Sequence, residues 1–197
     1  MKNAIQNTLC IFSTLLLFFI CHQTQAQSRV SAYTGSNTII VNLEGKTGPY
    51  QYSSKDLLVR YNKATQKIEC VLNLGSLYPT NENVPPTMAY DVLYGAKYPD
   101  LVLLIDAPAE KANASNNTNI YPESLGKKTS ISLQGITNQT VIPVLFTPDR
   151  NTIFFSTNFD LMLDNFQASI PAKYLPILTG RIQIFINNAK WTDIESQ

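Results

Sequence analysis

The fold is decided between Lys97 and Phe146. This stretch opens with Lys97-Tyr98-Pro99-Asp100-Leu101-Val102-Leu103-Leu104-Ile105-Asp106. It closes with Thr129-Ser130-Ile131-Ser132-Leu133-Gln134-Gly135-Ile136-Thr137, followed by Gln139-Thr140-Val141-Ile142-Pro143-Val144-Leu145-Phe146. Three apolar, β-branched runs lie here, separated by polar loop. Ile131 and Leu133 alternate with Ser130 and Ser132, the period-two pattern of a strand with one buried face. Leu101 to Ile105 is apolar at every position and predicts a strand covered from both sides. Gly135 sits between a β-run and a short turn at Thr137-Asn138, where a positive φ or a close backbone approach excludes a side chain.

The same alternation extends outward in both directions. It runs through Asn37 to Leu43, Asp56 to Tyr61 and Gln66 to Leu74 before the central stretch. After Thr129 to Leu133 and Thr140 to Phe146 come Thr152 to Thr157, Leu161 to Phe166 and Arg181 to Ile186. Turn chemistry separates the runs at Glu44–Pro49, Asn62–Thr65 and Pro148–Asn151. Two segments read as short helices, Thr87 to Ala96 and Pro171 to Leu178, and Pro176 keeps the second short. About nine strands joined mainly by short loops predict an antiparallel sandwich or barrel. Strand counting does not separate the two, and an eight-stranded barrel can hold one small ligand.

The chain has 197 residues and begins with the pattern of a secretory signal. Lys2 gives a positive start, Leu9 to Cys21 is apolar apart from Ser13 and Thr14, and Thr24 and Ala26 are the small residues of a cleavage site after Ala26. The apolar run is short for a membrane span. Lipidation at Cys21 is disfavoured by the bulky Ile20 before it. The expected organisation is a signal over residues 1–26 and a single domain over 27–197, periplasmic or secreted and without stable membrane insertion after cleavage. Lys2 is the one charged residue in the signal, so the remainder carries 14 basic and 14 acidic residues. A neutral surface offers no field to attract nucleic acid.

The single histidine, His22, falls in the signal. The mature chain therefore has none of the histidine-dependent triads, dyads or zinc sites. Gly45-Lys46-Thr47 mimics the end of a phosphate-binding loop, but Ile40 stands where that loop needs glycine. Asp91, Asp100, Asp106, Asp160 and Asp164 are read as solvated loop and edge charges, since a glycosidase pair must face across a cleft. Asn113, Asn116 and Asn138 begin glycosylation sequons, read here as loop composition. Cys70 remains as the one mature cysteine, on the same face as Ile68, Leu72 and Leu74, and reads as a buried thiol. No metal and no cofactor is expected. Aromatics spread over most strands, among them Tyr52, Tyr61, Phe146, Phe155, Phe159 and Phe166; they suit either core packing or the lining of an apolar tunnel.

Three sequence features resemble the YceI-like family of exported lipid-binding proteins. Tyr90-Asp91-Val92 with Lys97-Tyr98-Pro99-Asp100-Leu101-Val102-Leu103 is similar to that family's helix and strand entry. Ile131-Ser132-Leu133-Gln134-Gly135-Ile136-Thr137 with Val141-Ile142-Pro143-Val144 is similar to its glycine-containing hairpin, the most specific of the three. Leu161-Met162-Leu163-Asp164-Asn165-Phe166 is similar to its late strand and turn. The resemblance covers Asn37 to Trp191. It implies an all-β fold, an extended lipocalin-like antiparallel β-barrel with one or two short helices. It also implies non-enzymatic binding of an apolar or amphipathic, polyisoprenoid-like lipid in the interior. Gln134 stands where the family often has histidine, Asn138 where lysine is common, and the arginine often found near the short helix is absent between Met88 and Ala96. Binding of a charged head group is therefore not carried over.

Strand alternation then nominates the ligand-facing residues. Ile131 and Leu133 share one face, Ile153 and Phe155 another, and Leu161 and Leu163 a third. The expected partner is a hydrophobic small molecule or lipid. The alternative is a structural or interaction β-sandwich without a small-molecule ligand, and an enzyme comes third.

Overall fold

The computed structural model describes residues 33–107, 123–149 and 152–191, without the side chains of 123, 148, 149, 152 and 153. The signal at residues 1–26 and the sequons at Asn113 and Asn116 lie outside the described residues. Among the described residues nine strands follow one another: β1 (Thr34–Gly45), β2 (Pro49–Asn62), β3 (Lys67–Asn73), β4 (Tyr78–Pro79), β5 (Asp100–Asp106), β6 (Glu123–Leu133), β7 (Ile136–Asp149), β8 (Thr152–Met162) and β9 (Leu178–Trp191). The helix α1 spans Met88–Val92. The sheet order is β1-β9-β8-β7-β6-β5-β3-β2-β4, and β1 also pairs with β2. That extra pairing closes eight strands into an antiparallel barrel and leaves the two-residue β4 attached to β2. Closure removes the open edges that a sandwich would keep.

Alternation on the strands builds the interior. β3 buries Ile68, Cys70 and Leu72, β5 buries Leu101, Leu103 and Ile105, and β9 buries Ile182, Ile184 and Ile186. Each such side chain contributes about 1.5–3 kcal/mol when taken fully out of water. The alternate residues of β5, Val102 and Leu104, are half-buried on the outer wall. Among the described residues no second layer covers the outer face of this strand, so the expected cover on both faces of Leu101 to Ile105 is not seen there. Cys70 is fully buried, and its burial pushes the thiol well above its ordinary range.

Turn chemistry fixes the register. Asn62 accepts from the amides of Ala64 and Thr65 at 3.1 and 3.2 Å, closing the β2–β3 hairpin. The β6–β7 hairpin turns on Gln134 and Gly135, with φ of 54° and 78°. Two central residues of positive φ match the right-handed strand twist. The turn thus lies before Ile136, and the Thr137-Asn138 pair expected as a turn is already strand. α1 is shorter than the expected Thr87 to Ala96. It stops where Tyr94 enters the left-handed region at φ 59°, and Gly95 follows because a Cβ there would meet the Tyr90 ring at 2.4 Å. Of the expected helix Pro171 to Leu178, residues 172–177 form consecutive turns and Leu178 already begins β9, and Leu161 to Phe166 divides. Its first two residues end β8, and Leu163–Phe166 is a 3-10 turn.

One end of the barrel is closed by α1 and the β8–β9 connection. Asp91 ties the two together: its carboxylate accepts from Lys173 Nζ and Tyr174 OH, both at 2.8 Å, and from Thr87 Oγ1 at 3.2 Å. The Lys173 bond and then the Tyr174 hydroxyl hold the Asp91 carboxyl below its ordinary range, against an opposing contribution from burial. Beneath them Tyr52 donates to the Pro85 carbonyl at 2.6 Å.

Candidate functional site

The barrel wall is incomplete along one seam. β7 pairs with β6 over its length from Ile136 to Phe146, but with β8 only from Val144 to Asp149. The part of β8 beyond Thr157 continues to pair with β9 as far as Met162. The first half of β7 and the second half of β8 therefore diverge as a wedge.

Pro143 explains where the wedge begins. In an antiparallel ladder one residue's N–H and C=O serve the same neighbouring strand. The Pro143 carbonyl faces β8, since it accepts from the Thr157 hydroxyl at 2.7 Å. Proline has no N–H to donate on that side. The rung that would carry the ladder past Val144 is lost, and a side-chain hydroxyl takes the remaining acceptor.

A cleft of about 300 Å³ occupies the wedge, lined by Ile131, Asn138, Gln139, Thr140, Asp160, Leu161, Asn165 and Phe166. That volume lies at the small end of ligand pockets. Its floor is the barrel interior: Ile131, Leu161 and Phe166 are core residues. Phe159 and Leu161 keep 7% and 6% exposure, against 0% for Ile39 and Val41 on the paired side of the barrel. Asn138 and Thr140 continue the inward-facing series of Ile142 and Val144, yet Thr140 is exposed because the neighbouring wall has moved away. Across the mouth the Asn138 side-chain amide donates to the Asn165 carbonyl. On the outer side Asp160 accepts from Arg181 at 2.5 Å, and Arg181 also reaches Glu44 at 3.3 Å.

Five of the six nominated residues can be placed. Ile131, Leu133, Phe155, Leu161 and Leu163 are all buried in the interior. Ile131 and Leu161 line the wedge cleft. Leu133 and Leu163 lie toward the closed end, and Phe155 packs against Trp191 at 6.0 Å toward the other. The backbone of Ile153 pairs with Pro148 and Trp191, and its side chain lies outside the described residues. The sequence pattern makes Leu161 and Leu163 neighbours on one strand face; both are buried, but Leu163 is in the 3-10 turn that follows β8. Sequence reasoning does not single out Asn138, Thr140 and Asn165 as lining residues, whereas Phe166 is among the aromatics it offers for an apolar lining. The available signal was Pro143, since a proline inside a run reading as a central strand marks an edge.

Among the described residues each candidate carboxylate has its own setting, and Asp160 shares Arg181 with Glu44. Asp91 binds the end cap, Asp100 accepts from Asn73 at 3.3 Å, Asp106 pairs with Lys67 at 2.8 Å, and Asp164 is exposed in the 3-10 turn. A second cleft of about 390 Å³ lies on the outer wall around the Lys67–Asp106 pair and Lys128. None of its lining residues belongs to the hydrophobic core. Among the described residues no helix is long and apolar enough to cross a membrane.

Fold and wedge together define a lipocalin-like closed β-barrel with an apolar core and a surface cleft along the β7–β8 seam. Solved structures of the same architecture follow from that description. A polyisoprenoid binding domain from Saccharophagus degradans, implicated in plant cell wall breakdown, superposes with a TM-score of 0.66 at 9% identity, covering 82% of this chain and 97% of that one. Burkholderia cenocepacia BcnA superposes with a TM-score of 0.53 at 15% identity, covering 76% and 93%. A YceI protein of Campylobacter jejuni gives a TM-score of 0.45 at 14% identity over 70% and 80%. No protein-family model and no curated protein sequence matches the chain. The resemblance read from the sequence thus holds at the level of the fold.

Proposed function

We propose that this protein is a divergent YceI-like carrier that binds an apolar or amphipathic lipid without chemical change. The observation that carries the reading is the wedge: core residues Ile131, Leu161 and Phe166 form the floor of a cleft open to solvent. Burying an apolar chain there gains about 25 cal/mol per Å² removed from water. The polyisoprenoid binding named for the Saccharophagus degradans domain supports the same class of ligand. The signal pattern ending at Ala26 supports export and a sequestering or carrier role in the periplasm or outside the cell.

Two measurements test this. Mass spectrometry of a lipid extract from protein purified out of its native host should find a stoichiometric apolar lipid. The emptied protein should then bind a hydrophobic dye that the recovered lipid displaces. A clean extract together with no dye binding would reject the carrier reading.

A second reading, an interaction module, is favoured by one feature. Leu175 and Ile177 in the β8–β9 connection are 54% and 36% exposed. Concentration-dependent self-association that is lost in Leu175→Ser would favour it.

A further inference from the structure

We infer that the β7–β8 wedge is the lateral portal of the barrel and seats an uncharged, hydrogen-bonding head group such as an alcohol. This rests on the carrier reading and adds to it the entry route and the head-group class.

The route follows from the geometry. A chain entering through a paired wall must break ladder hydrogen bonds, whereas none joins β7 to β8 beyond Pro143. One side-chain bond closes the mouth, from Asn138 to the Asn165 carbonyl. Opening it exchanges one exposed amide bond for water, a small net cost. The chain then reaches Ile131 and Leu161 directly.

The head-group class follows from the rim. Asn138 offers an amide oxygen and a second N–H, and Thr140 an exposed hydroxyl. With N–H and C=O of alternate residues serving the same side, Gln139 and Val141 turn theirs toward the wedge, where β7 has no ladder partner. These groups can donate and accept to one small neutral group. The charged residues of the rim work against an anion. Arg181 is held between Asp160 and Glu44, so the trio carries net negative charge. A phosphate or carboxylate there would meet like charge. An ammonium is disfavoured on a separate ground: seating it in the mouth strips its water, and the carboxylates that could replace that water are already paired with Arg181.

The test uses calorimetric titration of the purified protein with decanol, decyl phosphate and decylamine below their aggregation limits. Decanol should bind, with the phosphate ester and the amine each weaker by roughly tenfold or more. Thr140→Trp, at an exposed position, should weaken decanol by about the same factor by filling the mouth. Thr38→Trp, exposed on β1, should bind as the parent does. Equal affinity for decanol and either charged probe would overturn the head-group assignment. Full binding by Thr140→Trp would overturn the portal. Binding of decyl phosphate that disappears in Lys127→Ala would place the head group on β6 instead and overturn both. Failure of all three probes with the parent would reject the carrier reading beneath the inference.

Discussion

Replacing Gly135 with valine tests the hairpin on which the barrel's register depends. Gly135 has φ 78°, and a Cβ built there would lie 2.7 Å from Tyr98 Cε1. Two costs follow. An L-residue with a branched Cβ in the left-handed region is strained by about 1–2 kcal/mol. The Tyr98 ring must also move, loosening its tilted contact with Tyr94 at 6.3 Å and the Lys97 ammonium 4.9 Å above it. Those partly exposed contacts are worth about 0.5–1 kcal/mol. The expected destabilisation is therefore about 1.5–3 kcal/mol, or roughly 3–10 °C in Tm for a domain of this size. Urea unfolding should show a lower midpoint at unchanged slope. In a Tyr98→Ala background the cost should fall by the ring's share, about 0.5–1 kcal/mol. Gly135→Asn should cost less than Gly135→Val, because asparagine tolerates positive φ. An unchanged midpoint for Gly135→Val would refute the argument, and an asparagine cost equal to that of valine would refute its conformational half.

Pro143→Thr restores an N–H facing β8. It should slow hydrogen exchange at Val141 and Asn158 and narrow the wedge, while stability changes by no more than about 1 kcal/mol because the freer unfolded chain offsets the new bond. Exchange identical to the parent would show that Pro143 does not open the seam. Asp91 has a folded pKa below its unfolded value, so its contribution is present above the ordinary carboxylate pKa and is lost as pH falls through the depressed folded pKa. Asp91→Asn should therefore narrow the stability difference between neutral and acidic pH, and an unaltered acid limb would contradict the role of the Lys173 and Tyr174 bonds. Cys70 should resist a thiol reagent in the native state and react at a rate that follows unfolding, since burial disfavours its thiolate. Rapid labelling without denaturant would place it outside the core.

The fold was legible because one face of most strands is apolar and the other is not. Ile68, Cys70 and Leu72 already separate from Glu69 and Asn73 by period alone. Boundaries were less legible. β2 begins at Pro49, well before the apolar alternation of Asp56 to Tyr61, because its first half pairs with β1 in a continuous register that a bulge between Ser54 and Leu57 separates from the second half. Leu161 to Phe166 looked continuous because the 3-10 turn buries Leu163 and Phe166 as a strand face would. The site was half legible. Its floor could be named from alternation at Ile131 and Leu161, but its rim depends on which strands fail to pair. That failure is local backbone chemistry at Pro143, and its effect appears on residues of another strand.

The closure between β1 and β9 has a kinetic consequence. Asn37 is buried and exchanges two hydrogen bonds with the backbone of Lys190: its Nδ2 donates to the Lys190 carbonyl at 3.2 Å, and its Oδ1 accepts from the Lys190 amide at 2.9 Å. The partners stand 153 positions apart in sequence. Until the last strand arrives, β1 and β8 each keep an unsatisfied edge, however well the intervening hairpins have formed. Joining ends so distant places the loop-closure cost ahead of the rungs it makes possible, the circumstance in which folding is slow and incomplete chains adhere to one another. A chain ending before Leu178 is thus expected to collapse into hairpins that aggregate rather than into a smaller barrel.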